Sequence, residues 1–275
     1  MNPTKGATIR LVVSDVDGTL VRKDKSLSPQ VIAAVKRLRA AGVPFTLISA
    51  RPVSGIMPLI KPLGIDIPLA AFNGGIIFRP EGAVLSACHV GRAVVEGVLA
   101  IVGDAPVDRW VFADQRWYAT SDQGTHVEHE RVASAQSPVL RDDFTDLYDR
   151  VDKLTIVSDD APLLKGLADK AKAAFGKAAT IGQSQTYYLD VTGVTANKGD
   201  GVAALAKMIG VDMADVAVFG DMENDVPMFD RAGFSVVMGQ APDTVKAKAD
   251  EVSSSNEEDG VAHAIDAFIL PRVCQ

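Results

Sequence analysis

Short apolar runs rich in β-branched residues recur along the first third of the chain and predict buried strands of a parallel sheet. These runs span residues 9–14, 43–49 and 68–73. Between them, the apolar positions recur at helical spacing. Ser28 and Pro29 predict the start of one helix, which Gly42 would end, and residues 52–63 predict a second helix. This alternation of strand and helix is typical of a doubly wound α/β sheet.

The pattern changes in the middle of the chain, where two hairpins are predicted. One would turn at residues 79–82 and the other at Asp114 and Gln115. A polar stretch at 121–145 predicts loop with some helix. Further helices and strands are expected at 92–102, 153–158, 162–175, 179–181 and 186–191. Hairpins mixed with helices indicate a separate α+β domain.

After Lys198 the alternation of strand and helix returns. The predicted elements are a helix at 201–209, strands at 216–219 and 234–238, and helices near 224–232, 242–249 and 260–269. The expected fold class is therefore α/β, with a doubly wound, mostly parallel, Rossmann-like core sheet. We expect residues 1–82 and 191–275 to form this core and residues 83–190 to form an inserted α+β domain.

Composition narrows the class of protein. Of the 275 residues, 47% are hydrophobic and 23% are charged, as is ordinary for a globular protein. The net charge of -7 argues against nucleic acid or an anionic membrane as a partner, since both require basic surfaces. Two separated cysteines, Cys88 and Cys274, favour a reducing compartment over a disulfide scaffold. With neither a signal peptide nor an apolar run near the ~20 residues of a membrane span, we expect a soluble cytoplasmic protein.

Two carboxylates, Asp15 and Asp17 of the segment DVDGTL, directly follow the first predicted strand. Ligands of open α/β sheets bind at the carboxyl ends of the strands. Clustered carboxylates repel each other unless a cation relieves them, and oxygen ligands without His or thiolate partners favour Mg²⁺. A carboxylate can also accept a phosphoryl group. The alternative interpretation is a turn, which Asp and Gly both favour.

A second acidic segment, GDMEND at residues 220–225, directly follows the predicted strand 216–219. Asp221 and Asp225 are four residues apart at the opening of a helix, so they can face the same cavity. Taken alone, they could simply cap the helix and complement its dipole. Acidic segments after two strands of the same predicted sheet favour one shared site.

Two further residues complete the candidate site. Ser49, at the end of the strand 43–49, offers a hydroxyl and adjacent amides to an anion, although a serine there is commonly a helix cap. Lys198 lies where a helix is expected to begin, and a cation there opposes the helix dipole. Neutralising a phosphate would explain this lysine, and the alternative is a solvated surface residue.

In this order, DVDGTL, the hydroxyl of Ser49 in LISAR, Lys198 and GDMEND resemble the four motifs of the haloacid dehalogenase superfamily. The insert lies between the second and third motifs, and its α+β pattern resembles the type-IIB cap of the Cof-like phosphatases. The stretch from Phe72 to Gly75, with Asn73, is similar to an Asn-Gly stretch found there. Ser-Ala-Arg replaces the commoner Thr-Gly-Arg and keeps the hydroxyl.

The resemblance implies a Mg²⁺-dependent phosphatase that acts on a small phosphorylated metabolite, expected to be a sugar phosphate, as a monomer or homodimer. It implies that Asp15 is the nucleophile that forms an aspartyl-phosphate and that Asp17 is the general acid and base. It implies phosphate contacts from Ser49, Lys198 and Asn224. The implied Mg²⁺ ligands are Asp15, the backbone carbonyl of Asp17, Asp221 and Asp225, the last directly or through water.

The cap would select the leaving group. Its candidate contacts are Arg109, Arg116, Tyr118, His126, His129, Lys153, Tyr187 and Tyr188. Because Tyr187 and Tyr188 alternate on a strand, one of them would face the cleft. Tyr187 is the one expected to contact substrate. Arg51 would either contact substrate or pair with an acid, and Asn73 is a further candidate contact. The two histidines are otherwise surface residues, and Trp110 and Trp117 are expected in the cap's own core.

Two other functions use the same residues. A phosphotransferase or phosphomutase, of the phosphomannomutase type, would pass the phosphoryl group to a sugar instead of water. A non-catalytic binding protein on the same scaffold is the other alternative, and the presence of both acids in each acidic segment argues against it.

Overall fold

A five-stranded parallel sheet lies at the centre of the computed structural model, which describes residues 8–273. Its strand order is β14-β13-β12-β1-β2. The strands are β1 (Leu11–Ser14), β2 (Phe45–Leu47), β12 (Val216–Gly220), β13 (Phe234–Val237) and β14 (Glu251–Val252). Strand β1 pairs with β12 from Leu11–Val216 to Ser14–Phe219. The sheet therefore joins the first and last thirds of the chain, and the expected α/β fold is confirmed.

Helices cover both faces of this sheet, which explains why its strands are apolar at consecutive positions. On β1, Val12 packs in one cluster together with residues of α1 and α9, whereas Leu11 and Val13 pack in another with residues of α6 and α8. The helices are α1 (Pro29–Ala40), α2 (Val53–Leu63), α6 (Lys198–Ile209), α7 (Val226–Phe229), α8 (Asp243–Lys246) and α9 (Gly260–Ala264).

The predicted start of α1 is confirmed. The Ser28 hydroxyl accepts a hydrogen bond from the Val31 amide, and Pro29 is the first helical residue. Two of the later helices, α7 and α8, are shorter than predicted, whereas the predicted helix 260–269 is helical throughout and changes from α to π geometry. Residues 223–225 form a 3₁₀ turn before α7, α8 has only four residues, and α9 continues as a π-helical turn at Ile265–Ile269. At the turn, Asp225 accepts hydrogen bonds from the preceding backbone, so this segment is shaped as a loop and not as a regular helix.

Strand β3 (Leu69–Ala71) lies beside β2 through a single bridge, Ile48–Ala70, and does not extend the parallel sheet. It pairs antiparallel with β4 (Ile76–Phe78), which pairs with β5 (Val84–Ala87). The predicted turn at 79–82 is confirmed, because it joins β4 to β5. The predicted domain boundary after residue 82 falls at the end of this turn, between two paired strands, and it stays a prediction.

A second, six-stranded sheet is formed by the inserted part of the chain, in the order β10-β11-β9-β6-β7-β8. All its pairs are antiparallel except β7 with β8. Helices α3 (Arg92–Val102) and α5 (Ala161–Phe175) pack on one face, and α4 (Val127–Ser134) lies near the other. The strands are β6 (Asp108–Ala113), β7 (Arg116–Ala119), β8 (Val139–Leu140), β9 (Val151–Val157), β10 (Ala179–Gln185) and β11 (Tyr188–Gly193).

The two tryptophans do not lie in the cap's own core, and this expectation was wrong. Trp110 and Trp117 are fully buried, but they pack in the cluster that includes Phe72 and the helices of the parallel sheet. Alternation along β6 is the physical reason. Trp110 and Phe112 point towards the core of the molecule, whereas Val111 points towards α3 and α5.

The remaining expectations concern cysteines and membranes. Cys88 is a free thiol, and Cys274 lies outside the described residues. Among residues 8–273, no helix combines the length and the apolar character that crossing a bilayer requires.

Candidate active site

The two acidic segments meet where β1 and β12 end side by side. Asp15 follows β1, and its amide donates a hydrogen bond of 2.9 Å to the Phe219 carbonyl on β12. Carboxylate oxygens of Asp15, Asp221 and Asp225 all lie within 4.8 Å of one another, and the three residues are buried. The adjacency of two parallel strands thus brings together side chains more than 200 residues apart.

Lys198, the first residue of α6, connects these carboxylates. Its Nζ donates hydrogen bonds of 2.5 Å to Asp15 Oδ1 and 2.5 Å to Asp225 Oδ1, and its side chain is 2% exposed. The other oxygen of Asp225 accepts from the amides of Asp221 (2.8 Å) and Met222 (2.9 Å). The lysine is therefore a buried counterion and not a solvated surface residue.

Glycine is required beside this cluster. Gly18 has a φ of +79°, and a Cβ at that position would overlap the Asp221 carboxylate. The next residue, Thr19, donates its hydroxyl to Asp221 Oδ1 over 2.9 Å. The sequence DGT therefore lets the loop after β1 approach the loop after β12 and fix one of its acids.

The cluster holds more negative than positive charge. Burial raises the pKa of Asp15 well above its usual value, Lys198 opposes this shift, and Asp225 and Asp221 add to it. Burial and the charge of Asp225 raise the pKa of Asp221 to about 6. Burial alone would lower the pKa of Lys198, but Asp15 and Asp225 outweigh it and raise that pKa. Three carboxylates against one ammonium, with only oxygen donors, fit a hard divalent cation such as Mg²⁺.

Asp17 lies apart from the three acids and is paired with two cations. Arg51 donates through Nε to Asp17 Oδ2 (2.6 Å) and through Nη2 to Oδ1 (2.7 Å), and Lys25 Nζ donates to Oδ1 (2.6 Å). Burial favours the neutral acid, but these partners outweigh it and hold the pKa of Asp17 well below its usual range. Of the two alternatives for Arg51, the structure shows the pair with an acid.

Ser49, Asn73 and Asn224 lie on the other side of the acidic cluster. The Ser49 hydroxyl accepts from the Arg51 amide (3.1 Å), and the Ser49 carbonyl accepts from the Asn73 amide (2.7 Å). The Asn224 side chain donates to Asn73 Oδ1 over 3.4 Å. Ser49 and Asn224 line the cavity described below. Asn73 is not among the lining residues, and it contacts Asn224 through this hydrogen bond.

A cavity lies between the ends of the parallel sheet and the inserted part of the chain. Its floor contains Asp15, Asp17, Ser49, Lys198 and Asp221, among others. The inserted part contributes the wall, which is formed by His129, Glu130, Ala133, Lys153, Ser184, Gln185 and Tyr188. The cavity therefore has its floor on the parallel sheet and its wall on the inserted part of the chain.

Only some of the candidate contacts of the cap line the cavity. His129, Lys153 and Tyr188 line the cavity; Arg109, Arg116, Tyr118 and His126 do not, within the part of the chain described. Tyr188 takes the place expected for Tyr187. The Tyr187 ring stacks on His126 instead, with ring centroids 3.7 Å apart and planes 3° from parallel.

Two charged lining residues, Lys25 and Glu130, were missed in the sequence. Lys25 lies in an irregular loop with a φ of +68°, where no periodic pattern marks a functional position. Glu130 lies in the polar stretch 121–145, where no periodic pattern marks a buried position. Only the folded chain shows that it is 5% exposed.

Comparison with known proteins agrees with this geometry. The family model of the haloacid dehalogenase-like hydrolases matches residues 12–265. The HMP-PP phosphatase of Cronobacter sakazakii is 31% identical over 84% of this chain and 85% of its own length. The pyridoxal phosphate phosphatase of Escherichia coli is 26% identical over 96% of this chain and 100% of its own.

A solved structure shows the same fold. A haloacid dehalogenase-like hydrolase from Bacteroides thetaiotaomicron superposes with a TM-score of 0.85 and 27% sequence identity, covering 94% of this chain and 98% of that one. The family model covers most of the sequence, and both curated relatives described above are named phosphatases. The resemblance inferred from the motifs is therefore confirmed, and the chain belongs to the haloacid dehalogenase-like hydrolase family.

Proposed function

We propose that the protein is a phosphatase that hydrolyses a small phosphorylated metabolite through an aspartyl-phosphate, with a sugar phosphate as the expected substrate. The observation that carries this proposal is the position of Asp15. Its carboxylate lies at the floor of the cavity with Oδ1 bound to Lys198, so Oδ2 is free of that lysine and available to attack phosphorus.

The reaction would take place in two steps. An oxygen of Asp15 forms a bond to phosphorus as the bond between phosphorus and the leaving oxygen breaks, and Asp17 gives that oxygen a proton. Water then attacks the aspartyl-phosphate, returns a proton to Asp17 and releases inorganic phosphate. Asp17 suits the second step as it stands, because Arg51 and Lys25 hold it ionised. For the first step, the entering phosphate must bind Arg51 and Lys25 in place of Asp17, so that Asp17 can hold a proton.

Asp15 and Asp221, with the backbone carbonyl of Asp17, would hold Mg²⁺. Both oxygens of Asp225 accept hydrogen bonds from Lys198 and from two backbone amides, which favours a positioning role for that acid. When bound, Mg²⁺ would offset the negative charge of the site and of the transferring phosphoryl group. Ser49, Lys198 and Asn224, all at the cavity, would donate hydrogen bonds to the phosphoryl oxygens.

The relatives support phosphatase chemistry on small molecules, because the two named above act on HMP-PP and on pyridoxal phosphate. We propose that residues 83–190 form the cap that selects the leaving group and that residues 1–82 and 191–275 form the catalytic core. We further propose a cytoplasmic enzyme that acts as a monomer or homodimer, without nucleic acid or membrane as a partner.

Replacing the nucleophile tests the proposal. We expect Asp15→Asn to abolish the release of inorganic phosphate from p-nitrophenyl phosphate, since the amide cannot form the covalent intermediate. Circular dichroism should show an unchanged fold. Asp243→Asn, at a fully exposed acid, is the matched control and should keep full activity.

Two outcomes would contradict this assignment. Undiminished turnover by Asp15→Asn would show that Asp15 is not the nucleophile. Full activity of the wild type after complete removal of metal by EDTA would show that Mg²⁺ is not required. Equal amounts of free phosphate and free alcohol are expected with sugar phosphates, and a deficit of phosphate would instead indicate transfer to a sugar.

A further inference from the structure

Three polar side chains on the wall of the cavity are buried. Glu130 lies on α4, Lys153 on β9 and Tyr188 on β11, with exposures of 5%, 6% and 4%. All three line the cavity above the catalytic floor. Buried polar groups almost always have hydrogen-bond partners, so a group without one indicates that a ligand supplies it.

Tyr188 is the clearest case. Within residues 8–273, its buried hydroxyl makes no well-formed hydrogen bond, although burial and the nearby Glu130 carboxyl raise the pKa of Tyr188. The ring is held in place by Trp110 and Tyr187, whose rings lie edge-on with centroids 5.3 Å and 4.6 Å away. Leaving such a hydroxyl unpaired costs stability, which a bound ligand would recover.

Lys153 carries a buried ammonium with unused donors. Its nearest carboxylate in the described chain is Asp190, at 3.7 Å from Nζ, beyond hydrogen-bond distance. Asp190 itself already accepts from Thr155 (2.7 Å) and from Ser184. The ammonium lies 4.7 Å from the centroid of the Phe112 ring, an attractive contact that uses none of its three donors in a conventional hydrogen bond.

Glu130 adds an acceptor to these donors. Its position is fixed by helix α4, where the Ser134 hydroxyl donates to the Glu130 carbonyl over 2.6 Å. Burial, with Asp190 and Asp17 nearby, raises the pKa of Glu130 to about 7, although Lys153 opposes the shift. Near neutral pH this carboxyl can therefore accept a hydrogen bond or donate one.

We propose that Glu130, Lys153 and Tyr188 form the recognition site for the leaving group, and that this group is an uncharged alcohol with several hydroxyls. The proposal rests on the phosphatase function. A hydroxyl both donates and accepts, so adjacent hydroxyls can satisfy the ammonium, the phenol and the carboxyl together. An aryl or alkyl group would offer none of the three a hydrogen bond, and a second anionic group would face Glu130 and Asp190.

The test measures discrimination, not activity alone. The readout is the kcat/KM for the best of glucose 6-phosphate, ribose 5-phosphate and sorbitol 6-phosphate, divided by that for p-nitrophenyl phosphate. The variants are Glu130→Gln, Lys153→Met and Tyr188→Phe. Each is matched to a residue of the same type that is outside the lining of the cavity: Glu128→Gln, Lys165→Met and Tyr148→Phe.

We expect the ratio to fall at least about tenfold in Lys153→Met and in Tyr188→Phe, since each loses hydrogen bonds that only the hydroxylated substrate makes. Glu130→Gln keeps one acceptor oxygen, so a smaller fall is expected. The three matched variants should keep the ratio of the wild type.

Three results would overturn the proposal. They differ in whether they also refute the phosphatase function. A wild type that hydrolyses neither kind of ester refutes the phosphatase function itself. Hydrolysis of the aryl ester but of none of the three sugar and polyol esters refutes only the recognition site. Equal loss of both activities, with an unchanged ratio, would show that the three residues serve the structure alone.

Discussion

Glu130 is one of the buried carboxyls that make stability depend on pH near neutrality. Its pKa is raised from 4.5 to about 7 in the folded chain, with burial as the main cause. Between these values the folded state binds a proton that the unfolded state has lost. The contribution of Glu130 is therefore fully present below pH 4.5 and is lost as the pH rises through 7.

This sign gives a direct test with Glu130→Gln, whose amide resembles the neutral acid at every pH. Relative to the wild type, the variant should gain about 2–3 kcal/mol in free energy of unfolding between pH 5 and pH 8, at about 1.4 kcal/mol per pKa unit. Urea denaturation at several pH values measures this difference. Glu128→Gln, at an exposed position two residues away in α4, should show no such trend. A constant difference between wild type and Glu130→Gln would contradict the shifted pKa.

At the scale of single residues, the sequence predicted the chemical groups better than their surroundings. Asp15 and Asp221 could be assigned to one site because each follows a strand of the same predicted sheet. Lys198 could be suspected because a cation at a helix start is unfavourable without an anion. Its burial between Asp15 and Asp225 could not be predicted, since it depends on which strands lie side by side. Glu130 had no such local signal.

Among the elements, the contact of α2 with α4 joins the catalytic core to the cap. Gly55 of α2 lies so close to the Ala133 carbonyl of α4 that a Cβ there would overlap it. The neighbouring Ser54 hydroxyl donates to the Ser134 carbonyl over 2.5 Å. Since α4 carries Glu130 into the cavity, this close packing sets the position of the wall relative to the floor.

Gly55→Ala should therefore separate the two helices. Although alanine favours helix formation, we expect a loss of about 1–3 kcal/mol in free energy of unfolding from overpacking, together with a lower kcat/KM. Gly166→Ala in α5 is the matched control, because no atom lies within 4 Å of the Cβ it would add. That control should gain about 0.5–1 kcal/mol. Urea denaturation of both variants decides the matter, and a stabilised Gly55→Ala would show that the contact is loose.

The elements also show where sequence patterns stop being informative. The strand 9–14 could be predicted because burial on both faces requires a continuous apolar run. The helix after Ser28 could be predicted because a side-chain cap requires a residue such as serine. The face occupied by Trp110 could not be predicted, because the six-stranded sheet is covered on both sides and alternation alone does not say which side is which. The four-residue α8 is too short for a helical period to define its ends.

At the scale of the whole molecule, the proposed metal site forms only once both ends of the chain have folded together. Asp15 follows β1 and Asp221 follows β12, and these two strands lie side by side in the order β14-β13-β12-β1-β2. Between them lies the entire inserted part. A ligand that requires both acids binds the folded chain and not the unfolded one, so its binding energy adds to the stability of the whole core.

We therefore expect Mg²⁺ to raise the melting temperature of the wild type at constant ionic strength. A concentration of about 100 times Kd should add about 2.7 kcal/mol of stability. Asp221→Asn should behave in the opposite way. Without metal it should melt above the wild type, because it removes a buried carboxylate whose pKa is raised to about 6 by burial and by Asp225. With Mg²⁺ it should gain little.

Differential scanning fluorimetry with and without Mg²⁺ measures both effects, and Asp243→Asn provides an exposed acid as the control. The opposite signs separate the metal site from a general effect of charge. If Mg²⁺ only screened the net charge of -7, the two variants would shift alike, since each loses one negative charge. An equal shift in wild type, Asp221→Asn and Asp243→Asn would therefore exclude the acidic cluster as the binding site. A gain confined to chains that keep Asp221 would place the metal between the two strand ends.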